Sequence, residues 1–442
     1  MLRPIPPIAD PAPLGAQSLT RAPLVPEALL RQHSCFIPGD TRFRAGARLR
    51  QSLWREEQGL PAGLHRPGSN RNLPHLPLGS TLQPADAARG LNFLSPSVIA
   101  VVRRSLVLRE EGAMVHYDRL HRNLLSSEPL TYNLFVPLAL NLDLATAIFR
   151  QLLPAFVHQV TGIRFETSPG RNDARYLNDG TAFDAALSVI TPDGKPAIVF
   201  IEVKYSEGCT GPAATQRPRY DEASREAALH HDPDSPALRS TLLEQFWRLH
   251  LLAQLAVRHS VTPRAHLLVL YPQLNRRVRS ATHRYAAELS NPTGSSPALT
   301  GFSALTLETF VAALGQAGAG AEAAYLHHRY LDLQPVLDLV LAEPNTPDWD
   351  PPPARAPLAL LPPPSSAAST AEAVAASVVP SPHDKTSPSR RQRQRPTATA
   401  TAPSSGATAR QPVRKLKGKA AVLAPRTSAR SPASRRQTQE VR

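Results

Sequence analysis

The sequence predicts a mixed α/β fold on three observations: a β-hairpin with its own turn chemistry, a later unbroken apolar strand, and amphipathic helices on either side of both. Phe183 to Ile190 and Ala197 to Tyr205 are apolar and rich in β-branched residues, as strands are. Between them Pro192 suits position i+1 of a type I turn, and Gly194 suits the left-handed position after it. That is the signature of a three-residue hairpin loop with a G1-type bulge. If Thr191 then faces Lys195, counting back along both strands sets Asp184 opposite Glu202. Glu202 and Lys204 are two apart, so they share that face. Leu267 to Tyr271 is apolar throughout, the mark of a buried strand.

The remaining elements follow in chain order. Residues 1–39 are Pro- and Ala-rich and read as a mostly irregular arm. Phe43 to Gln58 reads as a helix with Phe43, Ala47 and Trp54 on one side, stopped by Gly59 and Pro61. Its other surface carries Arg42, Arg44, Arg48, Arg50 and Arg55, a phosphate-contacting face or, the plainer reading, a solvated one. Residues 60–90 read as loop. Ser95 and Pro96 open a helix whose stripe is Val98, Ile99, Val102 and Leu106, ending at Gly112, and His116 to Ser127 continues with Leu120 and Leu124. Pro137 is expected to break the next apolar run. Leu142 to Phe156 reads as a helix with Leu144, Ile148 and Leu152 inside, and Gly162 to Thr167 as a short strand. Ser168 to Gly180 is a polar loop in which Arg171 and Arg175 either meet phosphates or lie exposed. Thr241 and Glu244 fit a capping box for a helix that buries Leu242, Phe246, Leu249 and Ala253. Phe302 to Ala317 and Ala321 to Leu341 read as further helices.

The chemistry lies at the end of the hairpin away from its turn. Two carboxylates directly across a sheet repel each other. A hard divalent cation between them removes the repulsion, since Mg2+ is bound through one or two carboxylates plus substrate phosphate oxygens. A lysine beside such a site can steady developing negative charge or position water. Asp on one strand and Glu-x-Lys on the next is therefore the set that metal-dependent phosphodiester cleavage needs. The same three residues would also suit a merely soluble hairpin. Asp193-Gly194-Lys195 repeats the acid-x-Lys spacing but sits in the turn, whereas Glu202-Val203-Lys204 ends an apolar run where charges need a reason.

The stretch Phe183-Asp184 through Ile201-Glu202-Val203-Lys204-Tyr205 resembles the PD-(D/E)xK nuclease superfamily, with its restriction-endonuclease-like fold, and more narrowly a bacterial family within it. Arg42-Phe43-Arg44 to Trp54-Arg55-Glu56, Asn92-Phe93-Leu94, Asn123 to Ser127, Asn133-Leu134-Phe135, Glu166 to Arg171 and Arg329-Tyr330-Leu331-Asp332 carry the narrower likeness, which spans residues 40–342. One departure is Phe183, which stands where the motif has proline. The resemblance implies a core of helix, three-stranded sheet with the hairpin at its centre, helix and strand, with helices added at both ends. It implies a Mg2+- or Mn2+-dependent endonuclease in which Asp184 and Glu202 hold metal with the Val203 carbonyl as third ligand, and Lys204 orients or activates the water. Glu166, ahead of Asp143, is the candidate for a further acid at the metal. Gln245 and Arg248 could contact substrate, which would be nucleic acid, DNA first. A homodimer stays open.

Composition limits the alternatives. The chain of 442 residues is long enough for one or two domains with ample core. The organisation expected is an arm over 1–39, an N-terminal helical extension over 40–130, the nuclease-like domain over 131–342 and a disordered basic tail over 343–442. The net charge is +15, but from Pro351 onward 16 Lys and Arg stand against Glu372, Asp384 and Glu440, a net of +13, so the basicity belongs to the tail. Its Pro, Ser, Thr and Ala repeats cannot bury enough apolar surface to offset chain entropy. Clusters such as Arg390 to Arg395 and Arg414 to Lys419 suit an electrostatic nucleic-acid tether, or are the product of a compositional bias. Cys35 and Cys209 give no disulfide framework, and adjacent His230 and His231 lack a third zinc ligand. With no run of eighteen apolar residues and no signal peptide, a cytoplasmic location is expected. Two other classes remain: a non-catalytic nucleic-acid-binding protein on a nuclease-like fold, and a cytosolic structural protein with a basic tail.

Overall fold

In this computed structural model residues 19–66, 74–209, 217–291, 296 and 298–342 are described, all of them within one unit, Met1–Arg355. The tail expected from residue 343, with its basic clusters, and the first eighteen residues of the arm lie outside them. The rest of the arm does not stay irregular. Glu27–Gln32 forms helix α1, and Ala22, Val25, Leu29, Leu30 and Cys35 are buried in the main core. Helix α2 (Arg42–Glu57) begins at Thr41, whose hydroxyl accepts from the Arg44 amide.

The arginine face of α2 is corrected in kind. Arg48, Arg50 and Arg55 are buried. Arg48 binds Asp40 at 2.7 Å and Ser80 at 2.9 Å; Arg50 donates to the His328 carbonyl at 3.0 Å; Arg55 donates to the Gly79 carbonyl at 2.8 Å. They are internal ties between distant segments rather than a solvated or phosphate-contacting surface, because each guanidinium fork finds acceptors that the local sequence does not reveal. The described residues of 60–90 are not all loop either: β1 (Ala62–His65) and β2 (Leu76–Leu82) form a small antiparallel sheet, followed by α3 (Pro84–Ala88).

Helix α4 (Pro96–Val107) starts as expected, with the Ser95 hydroxyl accepting from the Val98 amide and Pro96 in the first turn. The segment after it holds only a π-helical turn at Asp118–Arg122. Pro137 does not end the next helix: α5 (Ser127–Leu140) runs through it. Ten of its residues, including Leu130, Leu134, Phe135 and Leu138, are buried, and this packing offsets the hydrogen bond that proline removes. Helix α6 (Leu142–Leu152) stops short of Phe156 and buries Ala145, Ile148 and Phe149.

The main sheet comprises β3 (Gln159–Thr167), β4 (Phe183–Ile190), β5 (Pro196–Val203), β6 (Ala265–Tyr271) and β7 (Gly301–Thr306), hydrogen-bonded in that order. The first two pairings are antiparallel and the last two parallel. Strand β7 falls where a helix was expected from Phe302; the helix α10 (Leu307–Gln316) starts only after it, capped by Thr306. Between β5 and β7 come α7 (Pro218–Ala227), α8 (Glu244–Arg258) and α9 (Arg276–Glu288). The expected capping box on α8 is absent: Leu243 is the N-cap and Thr241 is exposed. After α10 follow α11 (Gly320–Leu326), a π-helical turn at His327–Leu331, and α12 (Gln334–Ala342).

The sheet is covered on both faces, which is why its central strands are apolar on both sides. One face, with Ala185, Leu187, Val199, Ile201 and Val203, packs with α2, α5, α6 and α10. The other, with Ala186, Ile198, Phe200, Leu267 and Val269, packs with α7 and α8. Tyr205, just past β5, links the sheet to the N-terminal helices: Gln51 of α2 donates to its hydroxyl at 3.2 Å, and that hydroxyl donates to the Tyr330 carbonyl at 3.2 Å. Among the described residues no single helix is long and apolar enough to cross a membrane.

Candidate metal and catalytic centre

The hairpin register is the one the turn chemistry dictates. The Thr191 amide donates to the Lys195 carbonyl at 2.9 Å, and Gly194 has φ +80°. Ile190 pairs with Pro196 and Ala185 with Ile201, so Asp184 stands across from Glu202 one step further on. Here β4 and β5 part, and the Asp184 carboxylate replaces the lost ladder partner by accepting the Val203 amide at 2.7 Å. Phe183, in the place of the motif proline, is fully buried and stacks on Phe200 with ring centroids 4.1 Å apart.

Glu202 and Lys204 are buried on the α8 side of the sheet. The Lys204 ammonium lies 2.7 Å from Glu202 Oε1 and donates to Gln245 Oε1 at 2.9 Å. Gln245 Nε2 donates in turn to Glu202 Oε1 at 2.8 Å. These three side chains form a closed ring that fixes one another's rotamers. Burial works against the Lys204 charge, but Glu202 and Asp184 outweigh it and raise its pKa. The amine is thus held as a cation.

On the other edge of β4, the pairs Phe165–Ala185 and Thr167–Phe183 bracket Glu166 against Asp184. Glu166 has φ +48°, a left-handed conformation that costs a residue with a side chain roughly 1 kcal/mol or more. Its carbonyl accepts from Arg171 at 3.2 Å, which helps to hold that backbone. Burial, then Glu128 and Glu202, raise the Glu166 pKa to about 8. Burial, then Glu202 and Glu166, push Asp184 well above the usual carboxylate range.

Glu128 was not anticipated. It lies in the first turn of α5, and its pKa is raised by burial against the counter-effect of Arg119, 3.3 Å away. Asp143, the acid considered for the helix before the sheet, is exposed on α6. The signal for Glu128 was present in Ser126-Ser127-Glu128, since the Ser126 hydroxyl caps α5 by accepting from the Glu128 amide.

The residues considered for nucleic-acid contact are mostly spent inside the protein. Gln245 belongs to the ring around Lys204. Arg171 pairs with Glu110 at 3.2 Å and is nearly buried. Arg248 donates to Thr181 at 2.7 Å and lies 3.3 Å from Asp179. Each donates to an acid that the fold brings to it, Glu202, Glu110 or Asp179, which sequence spacing cannot show. Arg175 alone keeps its side chain 73 % exposed, paired with Asp173.

The donor set suits a hard divalent cation. Asp184, Glu202, Glu166 and Glu128 offer carboxylate oxygen, and burial, ahead of neighbouring carboxylates, raises the pKa of Glu128, Glu166 and Asp184. Among the described residues no three His, Cys, Asp or Glu side chains are gathered at ligand spacing. Mg2+ is ordinarily bound through one or two carboxylates, and Asp184 and Glu202 form a pair across β4 and β5. A family model for the PD-(D/E)XK nuclease superfamily matches residues 38–332. No curated protein and no solved structure matches the chain.

Proposed function

The chain belongs to the PD-(D/E)XK nuclease superfamily, and from that premise we propose that it is a metal-dependent nuclease that hydrolyses nucleic-acid phosphodiester bonds, with DNA as substrate and cleavage internal to the strand. The observation that carries the proposal is the shared face of Asp184, Glu202 and Lys204 where β4 and β5 part. Asp184 and Glu202, with the Val203 carbonyl, would hold Mg2+ or Mn2+. Such an ion supplies an activated water and a counter-charge for the phosphate. The chain's own groups do the rest. Lys204, kept cationic, is a charge donor to a pentavalent phosphate and not a general base. Gln245 positions Lys204 and Glu202 together. Glu166, its pKa raised to about 8 by burial and then by Glu128 and Glu202, would be a further oxygen donor to that ion.

The test is incubation of the full chain with duplex DNA, single-stranded DNA and RNA, with Mg2+ or Mn2+ and with EDTA, beside Asp184→Asn. Metal-dependent cleavage lost in the variant supports the proposal; no cleavage of any substrate with either ion defeats it. A second reading has one observation in its favour. Asp184 and Glu202 each have an internal partner at 2.8 Å or less, so a non-catalytic nucleic-acid-binding protein would show affinity for the strands and no metal-dependent change in stability.

A further inference from the structure

On the other side of the β5 end from Lys204 lies a cavity of about 170 Å3, over ten times the ~10–15 Å3 that one water needs. Arg21, Arg42, Arg276 and Arg277 line it, above an apolar floor that includes Phe43 and Leu274. No acidic residue lines it. Asp40, just ahead of α2, is already taken by Arg44 and Arg48. Arg42 donates to the Ala22 carbonyl, and among the described residues none of the four arginines forms an ion pair. Four exposed arginines around one space, with no acid in its lining, favour an anion there.

The cavity is built into the fold. Asn275, in its wall, donates to the carbonyls of Tyr205 at 2.9 Å and Glu207 at 3.3 Å, the chain leaving β5. Lys204 faces Glu202 and Gln245, whereas the Tyr205 ring lies against Phe43 of the cavity floor, with centroids 6.5 Å apart. The cavity and the carboxylate cluster therefore straddle one strand end. Helices α2 and α9 both begin in its wall, and the positive ends of their dipoles add to the arginine field.

We propose that this cavity binds a nucleotide through its phosphate, free or as one unit of a strand. The planar guanidinium fork matches phosphate oxygens in pairs. The apolar floor suits a ligand whose phosphate is joined to a flat ring. The basic tail is excluded as the occupant by its own charge, a net of +13 from Pro351 onward. The site needs neither metal nor cleavage, so it stands or falls apart from the nuclease reading.

The experiment measures binding to the full chain in EDTA. The probes are adenosine 5′-monophosphate by calorimetry, with inorganic phosphate as competitor, and a short single-stranded oligonucleotide by anisotropy. The double variant Arg276→Ala/Arg277→Ala is compared with Arg103→Ala/Arg104→Ala, which removes the same charge from an exposed part of α4. Loss of two charged hydrogen-bonding groups should weaken binding by about tenfold to a hundredfold in the first variant only. Weakened mononucleotide binding assigns a free nucleotide; weakened binding of the oligonucleotide alone assigns a unit of the strand. Equal affinities in the two variants, or no change in either, overturn the site.

Discussion

Asp184→Asn should leave the metal-free protein at least as stable as the parent, and should abolish its response to Mg2+. Asp184 faces Glu202 on one side and Glu166 on the other. Lys204 is already committed to Glu202 at 2.7 Å. The direct donor to Asp184 is the Val203 amide, and an asparagine Oδ1 can still accept it. In the unfolded chain an Asp titrates near ~3.9. In the fold, burial, then Glu202 and Glu166, move it well above that value. Over the interval between the two, the folded protein holds a proton that the unfolded chain has lost. Stability therefore falls as pH rises through that interval, and the amide removes the fall. Like charges across a sheet cost up to ~1 kcal/mol, so the variant should gain about that much in EDTA at mildly alkaline pH, a Tm rise of roughly 2–4 °C. Metal acts the other way: an ion at a hundred times its Kd stabilises by ~2.7 kcal/mol, and the variant should lose that increment. Melting curves in EDTA and across a MgCl2 series measure both. A Tm several degrees lower in EDTA, with the Mg2+ response intact, would make Asp184 a structural residue and refute the reasoning.

Lys204→Ala should keep nucleic-acid affinity and lose turnover, read by anisotropy and single-turnover cleavage; because it leaves buried Glu202 without its cation, its metal-free Tm should also drop. Removing residues 343–442 should flatten the salt dependence of DNA binding, since each phosphate contact contributes a slope of about −0.9 on duplex DNA, while cleavage with protein in excess persists; an unchanged slope would move the tether to the folded part. Tyr285→Phe should cost about 1–3 kcal/mol in denaturant melts: His250 Nε2 donates to the Thr300 carbonyl, so its Nδ1 accepts from the Tyr285 hydroxyl at 3.0 Å and would be left without a donor. Burial lowers His230, His250 and His266 to about 4, 3 and 4. The unfolded chain takes up protons first, near ~6.5, so stability should be complete above that pH and fall as pH drops towards 4; a flat profile over that window would contradict the buried neutral state.

The hairpin was legible because its information is local. Pro192 and Gly194 fix the loop, and parity then fixes which side chains face each other, with no need of the rest of the chain. What the sequence hid was of two kinds. Helix α5 is buried nearly all round, so it lacks the one-sided pattern by which a helix is recognised, and Pro137 read as its end. Glu128 was lost with it. Phe302 to Thr306 mixes apolar residues with Ser303 and Thr306 and is too short for strand and helix periodicity to be told apart. The second kind is the fate of arginines. Arg50, Arg171 and Arg248 looked like surface because their acceptors, the His328 carbonyl, Glu110 and Asp179, lie 278, 61 and 69 residues away. A guanidinium on a helix face carries no local sign of whether it will meet water, a phosphate or a distant carbonyl.

The link from Gln51 through the Tyr205 hydroxyl to the Tyr330 carbonyl has a consequence for synthesis. Asp184, Glu202 and Lys204 leave the ribosome well before Tyr330, whose carbonyl is the acceptor of Tyr205, the residue next to Lys204. Arg329 closes the same knot, donating to the Asn92 carbonyl at 2.9 Å while its own carbonyl accepts from Gln51 at 2.8 Å. Contacts that span so much chain form late, since loop closure must come before they contribute. A nascent polypeptide ending at residue 300 holds the whole motif and lacks the far wall against which its strand end is set. Residues 184–204 thus reach their final setting only after the segment around Tyr330 has emerged.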